Sequence, residues 1–107
     1  MGTDRSNQPM MEAVMADKRI RALVYGRVQG VNFRWYTRQR ANQLELRGWV
    51  RNLLNGRRVE VVAEGPEDKL RELVRFLYDG PPAADVDNVD IEWKEATDEF
   101  NRFSIRY

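Results

Sequence analysis

The chain contains neither cysteine nor histidine, and each absence removes whole classes of chemistry. Without cysteine there is no disulfide framework, no thiol nucleophile and no zinc–thiolate site. Without histidine the commonest general base and metal ligand is gone, and with it every Ser-His or Cys-His catalytic arrangement. Long apolar runs are missing as well. No stretch of the 107 residues is long and apolar enough to span a bilayer, and the N-terminus shows no signal-like apolar segment. A cytoplasmic protein is therefore the expectation. An enzyme made from this sequence has to work with carboxylates, arginine, amides and backbone groups.

What is present is charge of both signs, unevenly placed. The net charge is only +1, yet residues 18–60 hold eleven Lys/Arg against Glu45 and Glu60, while residues 61–107 hold six against twelve Asp/Glu. A basic first half suits an anionic ligand, either a small phosphate compound or a nucleic acid.

The length is that of one domain able to bury a two-layer core. Residues 1–17 are polar and aperiodic, and are expected to be a flexible leader before a domain spanning 18–107. Ile20, Ala22 and Val24 alternate, predicting a strand over 19–28. Phe33, Tyr36, Thr37, Ala41 and Leu44 recur at helical spacing, predicting a helix over 33–46 closed by Gly48 in a left-handed cap. A short strand follows over 49–52, then a hairpin at Asn55-Gly56 and a third strand over 59–64. Gly65-Pro66-Glu67-Asp68 opens a second helix with the stripe Leu70, Leu73, Val74 and Leu77, and Gly80-Pro81-Pro82 stops it. After a linker to about residue 87, Val89, Ile91 and Trp93 alternate as a fourth strand, and 103–107 alternates again. This order is βαββαβ plus a short C-terminal strand. It predicts an α+β, ferredoxin-like split βαβ sandwich, with two helices on one face of a mostly antiparallel sheet.

The most informative stretch is Gly26-Arg27-Val28-Gln29-Gly30-Val31-Asn32-Phe33-Arg34, between the first strand and the first helix. A glycine-containing turn there aims backbone N–H groups and the positive helix end at one point, an arrangement that binds anions. Arg34 in the first helical turn opposes the macrodipole at a cost of roughly 0.3–1 kcal/mol, and becomes favourable once an anion sits beside it.

The segments GRVQGVNFRWYTRQRA, GWVRN and GRRVEVVAEGPED, with GPPAADVDNVDIEW and the closing FSIRY, resemble the acylphosphatase family from about Arg19 to Tyr107. The resemblance implies hydrolysis of the carboxyl–phosphate bond of acyl phosphates, without metal or cofactor. It implies that Arg34 binds the phosphoryl group and that Asn52 positions the attacking water. It also implies a phosphate cradle made by the turn amides of Gln29, Gly30, Val31, Asn32, Phe33 and Arg34. The partners it implies are a small-molecule acyl phosphate and inorganic phosphate, with no nucleic acid, no membrane and a monomeric chain. One departure is visible: Arg57 and Arg58 both stand between Gly56 and Val59, where family members often have one residue fewer, and a bulge could absorb the addition.

The chemistry is consistent with these residue types. Phosphoryl transfer asks chiefly for positioning and charge stabilisation. Arg34 offers a planar fork of donors that stays charged, and the Asn52 carbonyl can accept from a water. Trp35, Trp49 and Trp93 are expected to pack, one of them at the cleft mouth. The alternative is a small nucleic-acid-binding module of the same βαββαβ plan, stacking bases on Tyr25, Trp49 and Trp93. Against it, the third strand reads Val59-Glu60-Val61-Val62-Ala63-Glu64, acidic and aliphatic rather than aromatic and basic.

Overall fold

The computed structural model describes residues 16–54 and 56–107. Nearly all of the expected leader, and Asn55 of the expected hairpin, lie outside the described residues. The elements run β1 (Asp17–Arg27), α1 (Phe33–Gln43), β2 (Arg47–Asn52), β3 (Arg58–Pro66), α2 (Glu67–Asp79), β4 (Asp85–Glu95) and β5 (Phe103–Arg106). The five strands form one sheet in the order β4-β1-β3-β2-β5, antiparallel except for the parallel β2–β5 pair. Both helices cover one face, as the alternating strands and the two apolar stripes predict.

Register explains which side chains meet. Ile20, Ala22 and Val24 lie opposite Ala63, Val61 and Val59. All six are fully buried, with Phe33, Thr37 and Ala41 of α1 and Leu70, Leu73 and Leu77 of α2 packed into the same core. Asn52 stands opposite Val59, which puts it on this helix-covered face at the end of β2. Tyr36, expected on the α1 stripe, is instead exposed against the edge of Trp35.

The first helix ends earlier than the periodicity suggests. Its left-handed residue is Glu45, at φ 59°, not Gly48. The Leu46 N–H reaches the Ala41 carbonyl and the Glu45 N–H reaches the Asn42 carbonyl, the pair of bonds that defines a Schellman stop. Gly48 lies inside β2, where a Cβ would collide with the Val62 carbonyl; cross-strand contact, rather than capping, demands glycine there. Glu45 is exposed, so Glu45→Gly relieves the left-handed strain without disturbing packing. It should add about 1 kcal/mol and raise the melting temperature by roughly 4–8 °C, as read by thermal unfolding.

The open sheet face is charged and largely paired. Glu60 accepts from Arg21 at 2.6 Å and from Arg51 at 2.7 Å. Glu64, fully buried, accepts from the Thr97 N–H (2.8 Å), the Thr97 hydroxyl (2.9 Å) and the Asp98 N–H (2.9 Å), with Arg19 at 3.3 Å. Burial alone pushes the Glu64 carboxyl up, but these donors and Arg19 outweigh it and hold the group below its ordinary value of 4.5. A carboxylate depressed on folding stabilises the native state above its unfolded pKa, and that contribution disappears as pH falls through the folded value. Glu64→Gln should therefore cost about 1–3 kcal/mol near neutrality. The gap between variant and wild type should narrow once pH drops below the ordinary carboxylate range. Melting curves from pH 7 down to 3 check this, and a pH-independent gap counts against it.

Candidate active site

The turn between β1 and α1 takes its shape from two left-handed residues, Gly30 at φ 74° and Asn32 at φ 61°. A Cβ on Gly30 would meet nothing within 4 Å, so the torsion alone favours glycine there. Asn32 is the N-cap of α1, and its side chain makes no capping bond; the first turn holds no acidic residue. The Asn32 carbonyl takes the first intrahelical bond, from Tyr36 N–H at 3.1 Å. The N–H groups of Phe33, Arg34 and Trp35 precede that ladder, and the positive helix end meets no protein carboxylate in its first turn.

Above this turn is a cavity of about 360 Å³, lined by Gly30, Asn32, Phe33 and Arg34 from the turn and α1, and by Asn52 from β2. Val28, Trp35, Arg38, Ile105 and Tyr107 complete the wall. Arg34 and Asn52, the two residues singled out for chemistry, are thus brought together by the β1–α1–β2 crossover, which carries the chain over one face of the sheet from β1 to β2 with β3 between them. Gln29 and Val31 of the same turn do not line the cavity. The Gln29 side chain points elsewhere, its Nε2 donating to the carbonyls of Leu53 (2.7 Å) and Arg58 (2.9 Å). It ties the turn to the β2–β3 hairpin. Among the described residues the hairpin shows no bulge: β2 and β3 stay in register through Asn52 and Val59, and the Leu53 N–H bonds the Arg58 carbonyl at 3.0 Å.

The Arg34 side chain forms no ion pair or hydrogen bond among the described residues; its guanidinium carbon lies 4.9 Å from the centre of the Tyr107 ring. Among the cavity-lining residues none is Asp or Glu. The Asn52 Oδ1 is buried without a hydrogen-bond partner. Its amide has a nearly two-fold terminal torsion, so a half-turn presents either the oxygen or the NH2 to the cavity. Thr37, one turn into α1, donates to the Phe33 carbonyl at 2.8 Å and braces the helix start from the core side. Trp35, 46% exposed, is the tryptophan at the cleft mouth. Arg38 and Tyr107 were not assigned to the site by the sequence motifs. Arg38 is visible in hindsight as the residue one helical turn after Arg34; Tyr107 comes from the parallel β2–β5 pairing, for which the sequence holds no local signal.

The sequence profile of the acylphosphatase family matches residues 20–105. The chain belongs to the acylphosphatase family. A curated acylphosphatase from Caldivirga maquilingensis is 49% identical over 89 residues, covering 83% of this chain and 94% of that protein. One from Salinibacter ruber is 47% identical over 90 residues, covering 84% and 94%. Among solved structures, the acylphosphatase from Bacillus subtilis superposes with a TM-score of 0.80 at 39% identity, covering 84% of this chain and 99% of that one. None of these comparisons favours a nucleic-acid-binding module. The sheet also argues against that reading: Trp93 sits opposite Ile20 on the helix-covered face, so it shares no stacking surface with Trp49, which lies opposite Val62 on the other face with its ring 5.1 Å from the Arg51 guanidinium carbon and 4.6 Å from that of Arg106. Within the acylphosphatase family, the cavity over the turn is the candidate active site.

Proposed function

We propose that the cavity holds the phosphoryl group of an acyl phosphate, with Arg34 and the turn amides on its oxygens and a water placed by Asn52. The reaction is hydrolysis of the carboxyl–phosphate bond to a carboxylate and inorganic phosphate, the activity of the family to which the chain belongs. The observation that carries this assignment of roles is the meeting of Arg34 and Asn52, from separate elements, at one cavity free of lining carboxylates.

The water oxygen attacks phosphorus as the P–O bond to the acyl group breaks, and the carboxylate leaves with the bonding pair. An amide is not basic at neutral pH, so Asn52 orients the water without deprotonating it. The water's proton ends on a phosphate oxygen or the departing carboxylate. Arg34 and the free N–H groups stabilise charge on the phosphoryl oxygens, and the fixed turn supplies orientation. With no histidine or cysteine in the sequence, the scheme calls for no metal. Both principal residues come from one chain, so the chemistry needs no second copy, and we read the protein as a monomer acting on small molecules alone.

Hydrolysis in ¹⁸O-water with excess chelator tests the scheme. The label should appear in inorganic phosphate, at an undiminished rate. Label in the carboxylate, or dependence on added magnesium or zinc, would overturn it.

A further inference from the structure

The basic surface does not end at Arg34. Arg38, one helical turn later, lines the same cavity and also a second cavity of about 500 Å³, together with Gln39, Asn42, Arg102 and Ser104. Ile105 belongs to both walls, so the two hollows adjoin at Arg38 and Ile105, between α1 and β5. No Asp or Glu lines either part. Neither Arg38 nor Arg102 has a side-chain hydrogen bond or ion pair among the described residues. Other arginines of this chain are committed: Arg19, Arg21, Arg47, Arg51 and Arg71 each face a carboxylate.

Residues four apart on a helix have Cβ atoms about 5–6 Å apart, and like charges so placed repel. A single anion on Arg34 leaves the second guanidinium uncompensated. Two anionic groups on one small molecule satisfy both. We propose that Arg38 selects acyl phosphates whose acyl half carries an anionic group of its own, a phosphate or a carboxylate. The phosphoryl end occupies the Arg34 cradle and the second anion lies along α1 at Arg38. The inference rests on the placement of the phosphoryl group at Arg34 given above.

The test compares kcat/KM for acetyl phosphate, 3-phosphoglyceroyl phosphate and succinyl phosphate in the wild type and in Arg38→Gln, Arg38→Lys and Arg34→Ala. Wild type should prefer the two doubly anionic substrates. Arg38→Gln should shrink that preference about tenfold, the effect of one charge-assisted hydrogen bond, and Arg38→Lys should restore part of it. A loss confined to one of the two substrates identifies its anion as the one Arg38 holds. A folded Arg38→Gln protein whose preference is unchanged, or that loses the same factor on all three substrates, overturns the proposal. Arg34→Ala separates the two levels: it should depress all three substrates alike, and if it does not, the placement of the phosphoryl group itself is wrong.

Discussion

Arg34→Ala should abolish nearly all turnover and weaken inhibition by inorganic phosphate together, with an expected loss on the order of 10³-fold or more in rate. Arg34→Lys recovers little, since a point charge cannot reproduce a planar fork of donors. Stability moves the other way. Among the described residues Arg34 has only the Tyr107 ring as a partner, and it stands as a cation at the positive end of α1. Its removal relieves roughly 0.3–1 kcal/mol of unfavourable helix electrostatics. Turnover, calorimetric phosphate titration and melting temperature, measured on the same preparations, should show an inactive protein at least as stable as wild type. An Arg34→Ala protein that binds phosphate normally would rule out the cradle.

Asn52→Ala separates placement of water from binding of phosphate. Loss of one well-placed polar group at such a site costs about 3–4 kcal/mol, a hundred- to thousand-fold in rate. The loss should fall on kcat, with phosphate affinity nearly unchanged. The fold should tolerate the change, because the Asn52 Oδ1 has no hydrogen-bond partner to lose. If phosphate affinity and turnover fall in parallel, Asn52 is a ligand of the phosphoryl group and the division of roles is wrong.

Much of this arrangement is legible in the sequence, for identifiable reasons. β1, β3 and the two helices carry clear periodicity, and apart from the exposed Tyr36 their apolar side chains land where the periodicity puts them. The start of β4 is different. Asp85 and Asn88 are poor strand formers, yet they pair with Arg27 and Tyr25 at the end of β1, with Asp87 passed over at a register shift between Tyr25 and Gly26; a long-range partner overrides local preference. The end of α1 misleads because glycine is the usual left-handed residue, while here Glu45 takes that torsion and Gly48 answers a carbonyl on the next strand. At the site, Arg34 and Asn52 stand out through the family resemblance, and neither would be separable from surface residues by composition alone. Gln29 lies within the same motif, but its side chain serves the hairpin. Nothing local in the sequence distinguishes that use from a contact with the ligand.

The Gln29 bond pair has a consequence for how freely the hairpin can vary. Its Nε2 is held by two backbone carbonyls, those of Leu53 and Arg58, and every amino acid carries one. The interlock therefore recognises the path of the chain and is blind to its lettering. Substitutions can accumulate in the hairpin by neutral drift while Asn52 keeps its station beside the turn. The same property makes this loop a suitable place to graft a foreign peptide or a label. The Gln29 side chain is the fixed point about which such changes have to be made.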